Sequence, residues 1–151
     1  IFLQPAIVQS TPKIAKGENY LELPYVLLDY PRCFDKENIF AVRTMFWWGN
    51  FFSITLHLSG KYKQTFEAAL HKNIQNLVQN DFYVCINEDE WQHHFNTDNY
   101  MPVNKLMPNE INNITQTHFI KVAIKFPVEK WDTMPSLLEK SFVDLLQLIR
   151  S

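Results

Sequence analysis

The chain has 151 residues, of which 46% are apolar and 15% aromatic, and its net charge at pH 7 is −2. This length predicts a single soluble globular domain over residues 1–151, since the apolar content is that of chains that fold around their own core. The slightly acidic balance argues against a nucleic-acid-binding module, because such modules carry a basic excess. No apolar run reaches the roughly 20 residues that cross a bilayer, so we expect no membrane insertion.

The sequence leaves the identity of any cofactor unknown. It has only three glycines and neither of the Gly-rich phosphate loops of nucleotide-binding proteins. Cys33 and Cys85 match no zinc or redox spacing, so we expect reduced, buried thiols and a cytoplasmic location. The first residue is Ile1 rather than Met, which leaves open that this domain is part of a longer chain.

The N-terminal part carries weak signals. Residues 1–19 are interrupted by proline and glycine and predict an extended or irregular segment. Residues 20–28 are mostly apolar, but Pro24 cannot donate to a strand ladder, so they predict an edge strand or an extended segment.

The clearest local pattern is a β-hairpin over residues 39–58. Two β-branched and aromatic runs, 39–48 and 51–58, flank Gly49-Asn50, which suits a two-residue hairpin turn. Loop length fixes the pairing, and a two-residue loop places Trp48 opposite Phe51. Both faces of this hairpin are too apolar to lie bare in water, so we expect each to be covered at least in part.

With that pairing, one face of the hairpin carries a polar stripe. Thr44, Ser53, Thr55 and His57 share it, and Trp48 contributes to an aromatic wall at the turn. A few polar groups in an apolar surround are typical of a small-molecule pocket. The alternative is that these are ordinary strand residues whose hydroxyls bond the neighbouring backbone.

Arg43 lies among apolar neighbours on the other predicted face. A buried guanidinium is costly unless it is paired. Its partner is either a protein carboxylate, such as Asp29 or Asp35, or the anionic group of a ligand held by two hydrogen bonds. We therefore list Arg43 with the candidate ligand-binding residues, and expect the ligand to be small and either apolar or anionic.

The second half of the chain predicts two helices, over 61–79 and 134–150, and two strands, over 82–86 and 118–126. Residues 87–117 are the least regular part. Together with the hairpin, these elements predict an α+β fold, with an antiparallel or mixed sheet of four or five strands packed by two helices.

Glu90, His93 and His94 form a further candidate group. A carboxylate and imidazoles on one turn of helix can bind Zn²⁺ or another divalent ion. The alternative is a solvated acidic loop, because the chain contains a single Glu-x-x-His and no second copy that would complete a two-metal site.

Three functional hypotheses follow. The first is a non-enzymatic domain that binds a small molecule or another protein through the hairpin face, with a homodimer as one form. The second is a metal-dependent enzyme that uses Glu90, His93 and His94. The third is a domain of a larger protein that contributes only to assembly.

Overall fold

The computed structural model describes residues 3–151 and shows an α+β fold with one antiparallel sheet of seven strands. The strands are β1 Lys13–Tyr20, β2 Leu23–Phe34, β3 Ile39–Trp47, β4 Phe51–Ser59, β5 Tyr83–Cys85, β6 Tyr100–Pro102 and β7 Phe119–Pro127. Their order across the sheet is β1-β2-β3-β4-β7-β5-β6. The helices are α1 Pro5–Val8, α2 Gly60–Asn73, α3 Pro108–Ile114 and α4 Met134–Leu148, with 3-10 turns at Ile74–Leu77, Val103–Lys105 and Val128–Thr133. None of the helices in this part of the chain is both long and apolar enough to cross a membrane.

The α+β class is confirmed, but the sheet has seven strands rather than four or five, and there are four helices rather than two. The additional strands are β1 and β6, both at the borders of the sheet. β1 is polar and largely exposed, so it lacks the apolar pattern of a strand, and β6 has only three residues. Of the extended or irregular segment predicted over 1–19, the part in β1 is extended, the part in α1 is helical and so was not predicted, and residues 1 and 2 lie outside the described residues.

β2 is not the edge strand that Pro24 predicted, because it pairs with β1 on one side and β3 on the other. Pro24 lies near the beginning of β2, and its carbonyl accepts a hydrogen bond from the Trp48 backbone N–H at 3.0 Å. The pairing of β2 with β3 is irregular between Asp29 and Arg32, where Pro31 lies. Each proline thus occupies a position where a missing N–H is tolerated.

The hairpin exists, but its predicted pairing is wrong by one residue. Trp47 pairs with Phe51, and the loop has three residues, Trp48, Gly49 and Asn50. The Asn50 N–H donates to the Trp47 carbonyl at 3.0 Å, and Gly49 has φ +72°, which is the positive φ that a type II turn requires at its third position. Because the turn begins at Trp47, every residue of β4 faces a partner one position away from the predicted one.

The two faces of the sheet are covered differently. One face, which we call the helix-covered face, packs against α2 and α4 in the main apolar core. From the sheet, that core contains Phe40, Val42, Ile54, Leu56, Leu58, Ile120, Val122 and Ile124. The other face lies under residues 87–99 and is called the loop-covered face. The expectation that both faces of the hairpin are covered is confirmed.

The start of α2 depends on a close backbone approach. Gly60 has φ +58°, and a Cβ there would overlap Asn38. The Asn38 side-chain oxygen accepts a hydrogen bond from the Lys61 backbone N–H at 2.8 Å, which satisfies one of the free donors at the helix start. From there Tyr62, Phe66 and Leu70, spaced by four residues, turn one face of the helix into the core.

Candidate functional site

A buried polar cluster lies between the loop-covered face and residues 87–99. The shifted pairing places Arg43 opposite Thr55 and Ala41 opposite His57, and β7 adds Lys121 opposite His57. Since paired residues point to the same side of a sheet, these polar side chains gather on one face. Five residues define the polar cluster, namely Arg43, Thr55, His57, Glu90 and Lys121.

Arg43 finds its partner within the protein. Its Nε and Nη2 donate to the two carboxylate oxygens of Asp29, both at 2.7 Å. The two side chains are 16% and 9% exposed, so this is a partly buried, two-pronged ion pair. The alternative in which Arg43 holds the anionic group of a ligand loses its basis, because the guanidinium is already paired.

Lys121, on β7, links the loop of residues 87–99 to the sheet. It is 3% exposed, and its Nζ donates to the backbone carbonyls of Glu90 at 2.8 Å and Gln92 at 2.7 Å. Burial lowers the pKa of Lys121 to about 8, because the ammonium has lost much of its hydration. The ammonium group of Lys121 thus supplies hydrogen-bond donors to two backbone carbonyls that the loop places against the sheet.

Glu90 is held between two histidines. The Nε2 of His57 lies 3.0 Å from Oε1, and the Nε2 of His118 lies 2.9 Å from Oε2. The hydrogen bond from His57 lowers the pKa of Glu90, whereas burial lowers the pKa of His57. Glu90 is therefore ionised near neutral pH and can only accept, so each imidazole carries its proton on Nε2 in this bond.

The remaining loop contacts are also polar. The Tyr20 hydroxyl accepts hydrogen bonds from the backbone N–H groups of His93 at 2.9 Å and His94 at 3.1 Å. Burial lowers the pKa of His93 to about 3. The polar cluster, Ala41 and His93 enclose a cavity of about 10 Å³, which has room for at most one water molecule. It is not a small-molecule pocket.

The structure divides the predicted ligand-binding residues. It brings Arg43, Thr55 and His57 together, with buried Ser53 on the same face. Thr44 pairs with Ile54 and lies on the helix-covered face, and Trp48 lies in the turn with 61% of its surface exposed. The three-residue loop is the physical reason, since it moves Thr44 away from the polar residues of β4.

Glu90, His93 and His94 do not form the predicted metal-binding group. Glu90 binds His57 and His118 instead, and the Nδ1 of His94 lies 4.0 Å from Asp98. Residues 89–95 form no helix, so the helical spacing on which the prediction depended is absent. Within residues 3–151, no group of three His, Cys, Asp or Glu side chains is placed to hold a metal ion.

An open cleft of about 370 Å³ lies beside Glu90, at the end of the hairpin strands. Its lining includes Lys36, Glu37, Glu90, Trp91 and His118. Trp91 is 47% exposed, and its ring lies 5.4 Å from that of His57. This cleft is large enough for a small organic molecule, as is a cleft of about 320 Å³ beside Trp47, Phe51 and Phe95.

A second candidate surface lies where the helix-covered face extends beyond its helices. The pairing aligns Ile14, Leu28, Val26 and Phe46 on that face, and Trp48 and Trp131 border Phe46 at ring distances of 5.6 and 5.8 Å. We call these six residues the apolar strip. Ile14 is 66% exposed and each of the two tryptophans is 61% exposed.

The sequence alone missed Lys121 and Tyr20 as parts of the site. The alternating pattern of residues 118–126 places Lys121 on the face opposite Ile120 and Val122, which is correct. What the pattern cannot give is the neighbour of that strand.

Comparison with protein-family models, curated proteins and solved structures finds no match to this chain.

Proposed function

We propose that this chain is a protein-interaction domain that pairs with a second copy of itself through the apolar strip. The observation that carries the proposal is the exposure of two tryptophans, Trp48 and Trp131, beside an exposed row of aliphatic side chains. An indole presents roughly 150–250 Å² when fully bare, so these two alone expose on the order of 200–300 Å². Monomeric proteins seldom leave a larger continuous apolar patch without a use for it.

The chemistry of the apolar strip favours a second copy as the partner. In the two rows that pair across β1, β2 and β3 on this face, Ile14–Leu28–Thr44 and Lys16–Val26–Phe46, Lys16 is the charged residue. A nearly uncharged surface needs no partner of opposite charge. Two such faces can pack about 10 Å apart as aligned sheets. Each copy then covers the apolar strip of the other, which its helices leave exposed.

The location proposed for this pair is the cytoplasm. Cys33 and Cys85 are free thiols, and Cys33 accepts a hydrogen bond from the Tyr62 hydroxyl at 2.9 Å. Reduced thiols persist in the cytosol, where the glutathione and thioredoxin systems keep them reduced.

Sedimentation equilibrium at micromolar concentration tests the pairing. We expect the wild-type chain to be a dimer and the Trp48→Ser/Trp131→Ser double variant to be monomeric, because buried tryptophans contribute about 2 kcal/mol or more each to an interface. Trp91→Ser is the matched control, since it removes an exposed tryptophan from the opposite face and should leave the dimer intact. A wild-type chain that stays monomeric at 100 µM, where ~8 kcal/mol interfaces are saturated, would contradict self-pairing.

A further inference from the structure

We propose that the cleft beside Glu90 binds a small organic ammonium ion, with Trp91 as the ring against which the cation lies. This site is on the opposite face from the apolar strip, so it does not depend on the pairing of two copies. The inference depends on three features that meet in the cleft: its size, its charge and its exposed indole.

The size admits a small organic molecule. The cleft is about 370 Å³, within the range of roughly 300–1,000 Å³ typical of ligand sites. It opens between the ends of β3 and β4, the residues 36–37 and the loop that carries Glu90 and Trp91. Its inner wall includes Ser59, which is buried.

The charge favours a cation. Glu37 and Glu90 line the cleft, and Lys36 is the single Lys or Arg among the lining residues. The hydrogen-bond partners of Glu90 are imidazoles, and burial lowers the pKa of His57, so that partner brings no compensating charge near neutral pH. The Glu90 side chain lines the cleft and is 15% exposed, so its negative charge is poorly hydrated.

The indole supplies the second part of a cation site. Tryptophan is the best of the aromatic rings for attracting a cation over its face. Trp91 is 47% exposed in the free chain, yet its backbone is fixed, because its N–H donates to Asp89 at 2.9 Å and Lys121 holds the carbonyls on both sides. A site held in place before the ligand arrives loses less entropy on binding.

An anionic ligand is the opposite alternative, and the surrounding cations do not support it. Arg43 is paired with Asp29, and the Nζ of Lys121 is directed to backbone carbonyls. The Lys61 N–H near the start of α2 already donates to Asn38. Lys36 is the Lys or Arg side chain that lines the cleft, so the effect of removing its charge distinguishes the two alternatives.

Three probes of the same shape test the charge of the ligand. They are choline, its neutral isostere 3,3-dimethylbutan-1-ol and the anion 3,3-dimethylbutanoate, each titrated into ¹⁵N-labelled protein while the indole N–H signal of Trp91 is followed by NMR. We expect choline to shift this signal to saturation at millimolar concentration and the neutral isostere to bind about two- to fivefold more weakly, as a cation–π contact of 0.5–1 kcal/mol implies. The anion should bind most weakly of the three.

Variants of the charged residues that line the cleft test the sign of the charge that the ligand carries. Glu37→Gln and Glu90→Gln should each weaken choline binding by about two- to fivefold at low salt, and Lys36→Gln should strengthen it by a similar factor. Trp131→Leu is the matched control and should change nothing. Equal binding of choline and its neutral isostere, weaker choline binding by Lys36→Gln, or no shift of the Trp91 signal below about 50 mM choline, a Kd worth less than 2 kcal/mol, would each overturn the proposal. If Glu90→Gln disorders the loop, the exposed Glu37→Gln variant decides alone.

Discussion

The two faces of the sheet are closed by different chemistry. The helix-covered face buries a continuous set of aliphatic and aromatic side chains under α2 and α4. The loop-covered face buries four residues of a smaller apolar group, Leu27, Met45, Trp47 and Phe51, beside an ion pair, a buried lysine and a carboxylate between two histidines. An amphipathic helix brings apolar side chains to a sheet, whereas a loop also brings bare carbonyl and N–H groups that must be satisfied.

This difference has an energetic consequence. Apolar contacts on the helix-covered face are individually weak and replaceable, so stability there follows the volume that is filled. On the loop-covered face, buried polar groups depend on a few specific hydrogen-bond partners. The loss of either partner leaves the other buried and unpaired. The faces should therefore respond differently to single and paired substitutions.

The largest expected effect is that of Asp29→Leu. It leaves the guanidinium of Arg43 partly buried without its carboxylate, and we expect the free energy of unfolding to fall by about 3 kcal/mol or more. The double variant Asp29→Leu/Arg43→Met should recover most of this loss, because two apolar side chains of similar volume replace the pair. Urea unfolding followed by circular dichroism measures both.

Leu56→Ala provides the comparison on the helix-covered face. Leu56 is fully buried, so we expect a loss of about 2–5 kcal/mol from the transfer and cavity terms together. No partner substitution can restore it in the way that Arg43→Met restores Asp29→Leu. A double variant at positions 29 and 43 that is no more stable than Asp29→Leu would refute this distinction between the faces.

A smaller effect is expected from pH. The pKa of His93 is lowered by burial from 6.5 to about 3. Between these two pH values the imidazole binds a proton in the unfolded chain but not in the folded chain. The contribution of this neutral imidazole is complete above pH 6.5 and is lost as the pH falls towards 3. We expect the free energy of unfolding to fall by on the order of 1 kcal/mol over the upper part of this interval, with amide exchange rising first in residues 87–99.

His93→Gln is the control for the pH effect, because it removes the titrating group and leaves a polar side chain in the same place. Its unfolding free energy should depend less steeply on pH between 6.5 and 4.5 than that of the wild-type chain. Glu90, whose pKa is lowered below 4.5 by its bond from His57, contributes in the same direction but only at lower pH. An unchanged slope in His93→Gln would show that His93 is not the group responsible.

The smallest effect is expected from metal removal. Because each oxygen of Glu90 already accepts a hydrogen bond from a histidine, we expect the melting temperature to stay within about 1 °C after dialysis against EDTA, which is below the 2–4 °C that 1 kcal/mol produces at this size. Elemental analysis of the purified chain gives an independent readout. A stoichiometric divalent metal whose removal lowers the melting temperature would instead support the enzyme hypothesis for Glu90, His93 and His94.

Much of the fold could be predicted from local patterns. The helix predicted over 134–150 corresponds to α4, Met134–Leu148, and the strand predicted over 118–126 corresponds to β7, Phe119–Pro127, because periodicity and the prolines at their ends are local signals. β1 could not be predicted from its own residues. It is a strand because β2 lies beside it, and that neighbour is not encoded in its composition.

The candidate sites could be predicted only in part. Asp29 was one of two carboxylates expected for Arg43, and His57 was correctly placed on the face that carries Ser53 and Thr55. The extra residue in the hairpin turn explains the errors in the predicted ligand-binding residues, because it moves Thr44 and Trp48 away from Ser53, Thr55 and His57. The contact of Glu90 with His57 could not be anticipated, since it joins residues 33 positions apart in the chain.

The unequal borders of the sheet limit how these molecules could add to one another. Within residues 3–151, the outer edge of β1 has no strand partner along eight residues, whereas β6 at the far side has three residues and ends in Pro102. Fibrous growth by strand addition needs a receptive border on each side of every subunit. With a border of three residues on one side, we expect growth by addition of native strands to stop at two chains.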